Sequence, residues 1–300
     1  MITKLDQLIE TVQKKERKRI VVAFAEDAHT LQAVSAAHKL GIIDPIVVGN
    51  RNNIKRTAQE VGVDLSEFII QEEQTDVASV HRAVQMIHHG EADILMKGLV
   101  STDKYMRGIL NKENGLVPPK GTLSHVSVLE IPTYHKLLTI TDVAVIVQPT
   151  LAQKIEQTKF VRDVAHAIGV ETPRIAMLSA TEQVLPNIPS CFDASIISTM
   201  GLRGQIPGCI IDGPLALDVA IDKETVRLKK LASPVDGEAD CLVFPSLEAG
   251  NIFFKSATKF MQAKVAAMVV GAKAPCVLTS RGDSEQSKLY SIALAAITAK

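Results

Sequence analysis

A chain of 300 residues, 46% of them hydrophobic, can bury a large core and exceeds the comfortable size of one compact domain, so two domains are expected. With 33 basic and 33 acidic residues the net charge is zero, which argues against nucleic acid or a membrane surface as the main partner. No apolar run approaches a membrane span and the N-terminus lacks a signal-peptide core, so a cytoplasmic location is expected.

The first half of the chain alternates strands and helices. Thr3 is expected to cap a helix with Leu5, Leu8, Ile9 and Val12 on one face, and Ile20 to Ala25 reads as a buried strand. A helix from Asp27 to Leu40 stops at Gly41, and Pro45 to Gly49 forms the next strand. Ile54 to Val61 is helical, and Phe68 to Ile70 is short and strand-like. Asp76 to His89 is a helix with Val77, Val80, Val84 and Ile87 inward and Gly90 behind it. The next strand is Asp93 to Met96. Such βα alternation predicts a mainly parallel sheet covered by helices.

That strand runs into Lys97-Gly98-Leu99-Val100-Ser101-Thr102-Asp103-Lys104-Tyr105-Met106-Arg107, a strand-to-loop-to-helix transition with a basic, polar tip. Thr102 reads as the N-cap, and Arg107 lies a turn and a half into the helix, so both can face an anion at the helix start. The alternative makes Lys97 and Arg107 ordinary surface charges.

Past a loop marked by Asn114-Gly115 and Pro118-Pro119 come the apolar runs Val126 to Leu129 and Leu137 to Val147, the second bounded by Gln148-Pro149. Thr150 caps a helix to Ile168, Ile175 to Leu178 is a strand, and Ser190 to Met200 is helical. Cys209 to Leu215 is a strand carrying Asp212-Gly213-Pro214-Leu215. Cys241 to Phe244 is another, opening into Pro245-Ser246-Leu247-Glu248-Ala249-Gly250-Asn251 with a helix following through Phe260. Asp212 and Glu248 either take part in chemistry or brace turns, and Asn251 either holds a ligand or caps its helix.

Val265 to Val270 precedes the most telling stretch, Pro275-Cys276-Val277-Leu278-Thr279-Ser280-Arg281-Gly282-Asp283-Ser284. Leu289, Ile292, Ala293, Ala296 and Ile297 then recur with helical spacing, and Asp283 with Gln286 reads as an N-cap and its capping-box partner. A strand that ends in Ser-Arg-Gly and turns at once into a helix gathers free N–H groups, the positive end of the dipole, a hydroxyl and a guanidinium. That makes an anion site, the alternative being a surface turn with a solvated arginine and an ordinary cap.

Cys209, Cys241 and Cys276 fall in or beside strands, Cys191 stands alone, and no Cys-x-x-Cys occurs, so reduced thiols are expected. The histidines show no metal-ligand spacing backed by carboxylates. No metal is expected.

The tracts Asp212-Gly213-Pro214-Leu215, Leu247-Glu248-Ala249-Gly250-Asn251-Ile252 followed by Lys255, and Ser280-Arg281-Gly282-Asp283-Ser284 stand in the order and spacing of the phosphate acyltransferase family, the phosphate acetyl- and butyryltransferases. The resemblance covers essentially the whole chain, including Lys97 to Arg107. Met96-Lys97-Gly98 and the modest length look more like the butyryl branch.

The resemblance implies an α/β fold of two α/β/α domains with a cleft between them, similar to isocitrate and isopropylmalate dehydrogenases. Residues 1–138 plus 282–300 would form the first domain and 139–281 the second, with the middle domain making the contact in a homodimer or higher oligomer. It also implies exchange of an acyl group between CoA and phosphate, with acyl-CoA and inorganic phosphate as partners and no permanently bound cofactor. Ser280, Arg281 and Asp283 would be catalytic, and Lys97, Thr102, Arg107, Asp212, Glu248 and Asn251 would bind substrate. In some members the base is a carboxylate seven residues after the motif serine; here that position is Ser287, leaving Asp283 and Glu285 as the nearest carboxylates. Phosphate acetyltransferase is the alternative within the family. A nicotinamide-dependent dehydrogenase of the same fold is a more distant one, although no Gly-x-Gly-x-x-Gly follows any strand. A non-catalytic acyl-CoA or phosphate sensor would be expected to have lost the Ser-Arg pair, which is present.

Overall fold

The computed structural model describes residues 1–278 and 284–300. In chain order the elements are α1 (Leu5–Val12), β1 (Lys18–Ala23), α2 (Ala28–Lys39), β2 (Ile43–Gly49), α3 (Arg51–Glu60), β3 (Ile69–Glu72), α4 (Asp76–His88), β4 (Ile94–Lys97) and α5 (Thr102–Ile109). Then come β5 (Ser124–Glu130), β6 (Leu138–Thr141), α6 (Leu151–Ala167), β7 (Arg174–Leu178), α7 (Pro189–Leu202), β8 (Ile210–Leu215), α8 (Leu217–Ile221), α9 (Lys223–Lys229), β9 (Cys241–Val243) and α10 (Leu247–Lys259). The chain closes with β10 (Lys264–Val270), β11 (Cys276–Val277) and α11 (Glu285–Thr298).

Two compact units share these elements. A terminal unit holds Leu5–Leu123 and Val265–Lys300, and a middle unit holds Met1–Lys4 and Ser124–Lys264. The sequence reading puts the crossings later, at 138/139 and 281/282. Strand pairing accounts for the observed positions: β5 is zipped antiparallel to β6, and β10 meets β11 through Val269 and Cys276.

In the terminal unit the strand order is β3-β2-β1-β4-β11-β10, with β1, β2, β3, β4 and β11 parallel. The apolar runs seen in the sequence are its interior: Ile20, Val21, Val22, Ala23, Ile94, Leu95 and Met96 are all fully buried. Strands covered on both faces read as continuous apolar runs. In the middle unit the order is β5-β6-β9-β7-β8, with β6, β9, β7 and β8 parallel and β9 returning to the slot between β6 and β7.

Several local expectations change. Val77 is 57% exposed, while Val80, Val84 and Ile87 are buried as the periodicity requires; Val77 sits one turn too early to reach the sheet. The run Leu137 to Val147 is a strand only to Thr141. Asp142 ends it by capturing the N–H groups of Ala144, Val145 and Ile146, which are thereby removed from any ladder. The helix expected after Asn251 begins at Leu247, because the Ser246 hydroxyl accepts the Ala249 N–H and caps it there. The short helices α8 and α9 have no counterpart in the sequence reading; Asp222 caps α9 through the N–H groups of Glu224 and Thr225. No described helix is long and apolar enough to cross a membrane.

Candidate active site

In open parallel sheets ligands bind outside the carboxyl ends of the strands where the chain reverses its direction of winding. In the terminal unit that point lies between β1 and β4, since β2 and β3 build outward from one side of β1 while β4 and β11 lie on the other. The helices α2, α5 and α11 follow β1, β4 and β11, so three helix N-termini collect at this edge.

Side chains lock the edge together. Tyr105, fully buried in the first turn of α5, donates its hydroxyl to the carbonyls of Leu95 (3.2 Å) and Val277 (3.3 Å), tying the helix to both β4 and β11. Burial, with a smaller contribution from Cys276, pushes its phenol well above the usual range, so it remains a donor. The loop after β4 follows the end of β1: Gly98 N–H bonds Ala23 O (2.9 Å) and Leu99 N–H bonds Phe24 O (2.8 Å). The backbones approach so closely that a Cβ on Gly98 would lie 2.2 Å from the Phe24 carbonyl oxygen. The first turns of α2 and α11 also meet, with His29 Nδ1 3.8 Å from Glu285 Oε1.

The sequence candidates fall into two groups. Lys97 is 5% exposed, and its ammonium donates to the carbonyls of Gly98 and Val100, both at 3.1 Å. It organises the loop that carries it. Thr102 is exposed as the first residue of α5; the cap is Ser101, whose hydroxyl accepts the Lys104 N–H. Arg107 has a side chain 78% exposed and pairs with Asp103 one turn back. It also lines a cavity of about 300 Å³ between α4 and α5, with Val77, Val80, Val84 and Lys104. Ser280, Arg281 and Asp283 lie outside the described residues. The cap of α11 is Ser284, whose hydroxyl accepts the Ser287 N–H at 3.1 Å, in place of the expected Asp283 and Gln286 pair.

In the middle unit β6 and β9 are neighbours, so the loop after β6 and the Pro245 to Asn251 tract lie side by side. Asp212 accepts hydrogen bonds from Ser198 (3.2 Å), Ser233 (2.6 Å) and the Gly213 N–H (2.8 Å), joining α7, β8 and the segment after α9. Glu248 is exposed in the first turn of α10, and hydrogen bonds from its own N–H and from Ser246 hold its carboxyl below the usual range. Asn251 lies inside α10 and donates its amide to Val143 O at 2.9 Å. It is a cross-brace to the loop after β6, and Ser246 takes the cap expected of it.

Sequence reasoning missed Asp142. It is 3% exposed, and its carboxylate accepts from Ser124 Oγ, the His125 N–H and the N–H groups of Ala144, Val145 and Ile146. The available signal was an aspartate standing inside the apolar run Leu137 to Val147. Among the described residues no cluster of histidine, cysteine or carboxylate side chains is arranged to hold a metal ion.

Known proteins match this arrangement along its whole length. The chain matches the phosphate acetyl/butaryl transferase family over residues 4–82 and 71–296. It is 43% identical to the phosphate butyryltransferase of Clostridium acetobutylicum over 100% of this chain and 99% of that protein. The phosphate acetyltransferase of Thermotoga maritima is 39% identical over 98% of this chain and 99% of its own length. A branched-chain phosphotransacylase from Enterococcus faecalis superposes with a TM-score of 0.81 at 32% identity, covering 94% of this chain and 98% of that one. With matches that run nearly end to end in sequence and in fold, the chain belongs to the phosphate acetyl/butaryl transferase family of enzymes.

Proposed function

We propose that this transferase moves a butanoyl group between CoA and inorganic phosphate, butanoyl-CoA plus phosphate giving butanoyl phosphate plus CoA. The observation that carries the reading is the gathering of the α2, α5 and α11 N-termini at one sheet edge in a chain of this family. In the forward step a phosphate oxygen attacks the thioester carbonyl, forming a C–O bond and a tetrahedral oxyanion. Collapse breaks the C–S bond, and CoA leaves as a thiolate that takes up a proton. The reaction needs an anion clamp, donors for the oxyanion and control of the thiol proton.

Arg281 is assigned as the phosphate clamp, Ser280 as the oxyanion donor and Asp283 as the group that exchanges the thiol proton. Thr102, Arg107 and Glu248 are assigned to substrate, supported by exposure within helices that start at strand ends. Lys97, Asp212 and Asn251 shape the loops that carry the site, supported by their protein hydrogen bonds. CoA enters as a substrate. The proposal includes an isocitrate and isopropylmalate dehydrogenase-like pair of α/β/α domains, supported by two compact units that each hold a mixed sheet. It includes a homodimer or larger assembly, as the family resemblance implies. A cytoplasmic location agrees with four free cysteines.

The test is release of free thiol from butanoyl-CoA on addition of phosphate. Thiol release independent of phosphate would make the protein a thioesterase, and reduction of NAD by a hydroxy acid would make it a dehydrogenase. Acetyl transfer is the second reading, favoured by the 39% identity to a phosphate acetyltransferase. A larger kcat/KM for acetyl-CoA than for butanoyl-CoA would select it.

A further inference from the structure

We infer that Asn251 and Asp142 form a positioning pair that fixes the loop between β6 and α6 in the shape acyl transfer requires. The inference rests on the acyl-transfer reading. The loop leaves β6 at the carboxyl edge of the parallel strands of the middle unit, where such sheets bind ligands. Three features hold it. The Asp142 carboxylate takes the successive N–H groups of Ala144 (2.8 Å), Val145 (2.9 Å) and Ile146 (3.1 Å), folding the backbone around its own side chain. The Asn251 amide reaches from α10 to Val143 O at 2.9 Å, and the Leu247 N–H bonds Val147 O at 3.0 Å. Finally, α10 lies so close that a Cβ on Gly250 would be 2.2 Å from Asp142 O.

Successive amides around one point form a nest that can hold an anion. Here the anion is the protein's own Asp142, so the nest serves geometry. The tract Leu247 to Asn251 thereby gains a physical meaning: its first residue, its glycine and its asparagine are each a point at which α10 meets this loop. A loop displaced by about 1 Å can cost up to a hundredfold in rate.

The experiment uses the full chain. Asn251→Ala and Asn251→Asp both remove the donor, the second keeping the side chain's size. Each is expected to lower kcat for butanoyl-CoA and phosphate by roughly ten- to a hundredfold, with KM for both substrates within about threefold. Amide exchange at Ala144, Val145 and Ile146 should accelerate by about tenfold or more in the same variants. In a cycle with Asp142→Asn the kcat losses should not multiply, because both changes act on one loop. If Asp142→Asn fails to fold, the exchange measurement on the Asn251 variants decides. A rise in KM with kcat and the three amides unchanged would make Asn251 a substrate ligand and overturn the inference. Faster amides with normal kcat would overturn it and leave the acyl-transfer reading intact, whereas wild-type protein without phosphate-dependent thiol release would remove that reading and this inference with it.

Discussion

Two strand-end loops, one in each unit, solve the same problem with opposite charges. After β4 the buried ammonium of Lys97 donates to the carbonyls of Gly98 and Val100. After β6 the buried carboxylate of Asp142 accepts three consecutive backbone N–H groups together with Ser124 Oγ and the His125 N–H. In both, polar groups surround a buried charge, but Gly98 and Val100 are themselves buried, whereas Ala144 is exposed and Val145 and Ile146 are half-buried. The difference lies in what is lost on removal. Removing the carboxylate takes its acceptor from the buried His125 N–H, and orphaned buried N–H groups are rarer in proteins than under-satisfied carbonyls, which retain a second lone pair. The carboxylate loop should therefore be the more brittle of the two.

The largest effect expected from this contrast is on Asp142→Ala, which strips a buried charge from five donors at once. It should cost about 3–5 kcal/mol in urea unfolding, since the buried donors of Ser124 and His125 each lose a hydrogen bond to a charged group, worth about 1.5–3 kcal/mol. A loss below about 1 kcal/mol would show that water replaces the carboxylate and that the loop is not brittle.

Next in size is Lys97→Met, which keeps the length and apolar character of the stem and removes the ammonium. A loss of roughly 1–3 kcal/mol is expected, smaller than that of Asp142→Ala. Reversal of the two in the same urea series would break the comparison between amide-bound and carbonyl-bound charges.

The smallest effect belongs to an exposed pair and sharpens the contrast with buried ones. Lys104 bonds Asp76 at 2.6 Å, and this hydrogen bond, opposed by some desolvation, holds the Asp76 carboxyl below its usual range. A carboxyl whose folded pKa is depressed contributes stability that is present above its unfolded pKa, about 3.9, and is lost as pH falls through the lower folded value. Wild type should thus exceed Asp76→Asn by roughly 0.2–1 kcal/mol at neutral pH, with the gap closing as acid takes the pH from about 4 downward. A gap that persists after Asp76 is protonated would assign its effect to packing.

Much of the fold is legible in the chain because its signals are local. The apolar runs at Ile20 and Ile94 are buried strands, and Thr150 caps α6 with Gln153 in a capping box. Errors cluster where several residues compete for one local role. Ser101 stands beside Thr102 and Ser284 beside Asp283, and each neighbouring pair offers two side chains able to cap. Which one caps depends on where the preceding strand ends. At Leu247 the asparagine four residues on looked like the start of the helix, whereas Ser246 had already supplied it.

By itself the sequence determined the alternation of strands and helices, the family motifs and the candidate groups for an anion, since periodicity, capping and motif order are properties of neighbouring residues. Only the tertiary structure decided what those groups touch. Asn251 braces a loop that begins more than a hundred residues earlier, its amide bonding Val143, and Tyr105 bonds Val277 across a still longer stretch of the chain. Asp142 resembles a lone misplaced charge until the backbone folds back around it. Burial makes such contacts obligatory, because a polar group removed from water must find a partner, and the topology of the sheets brings that partner within reach.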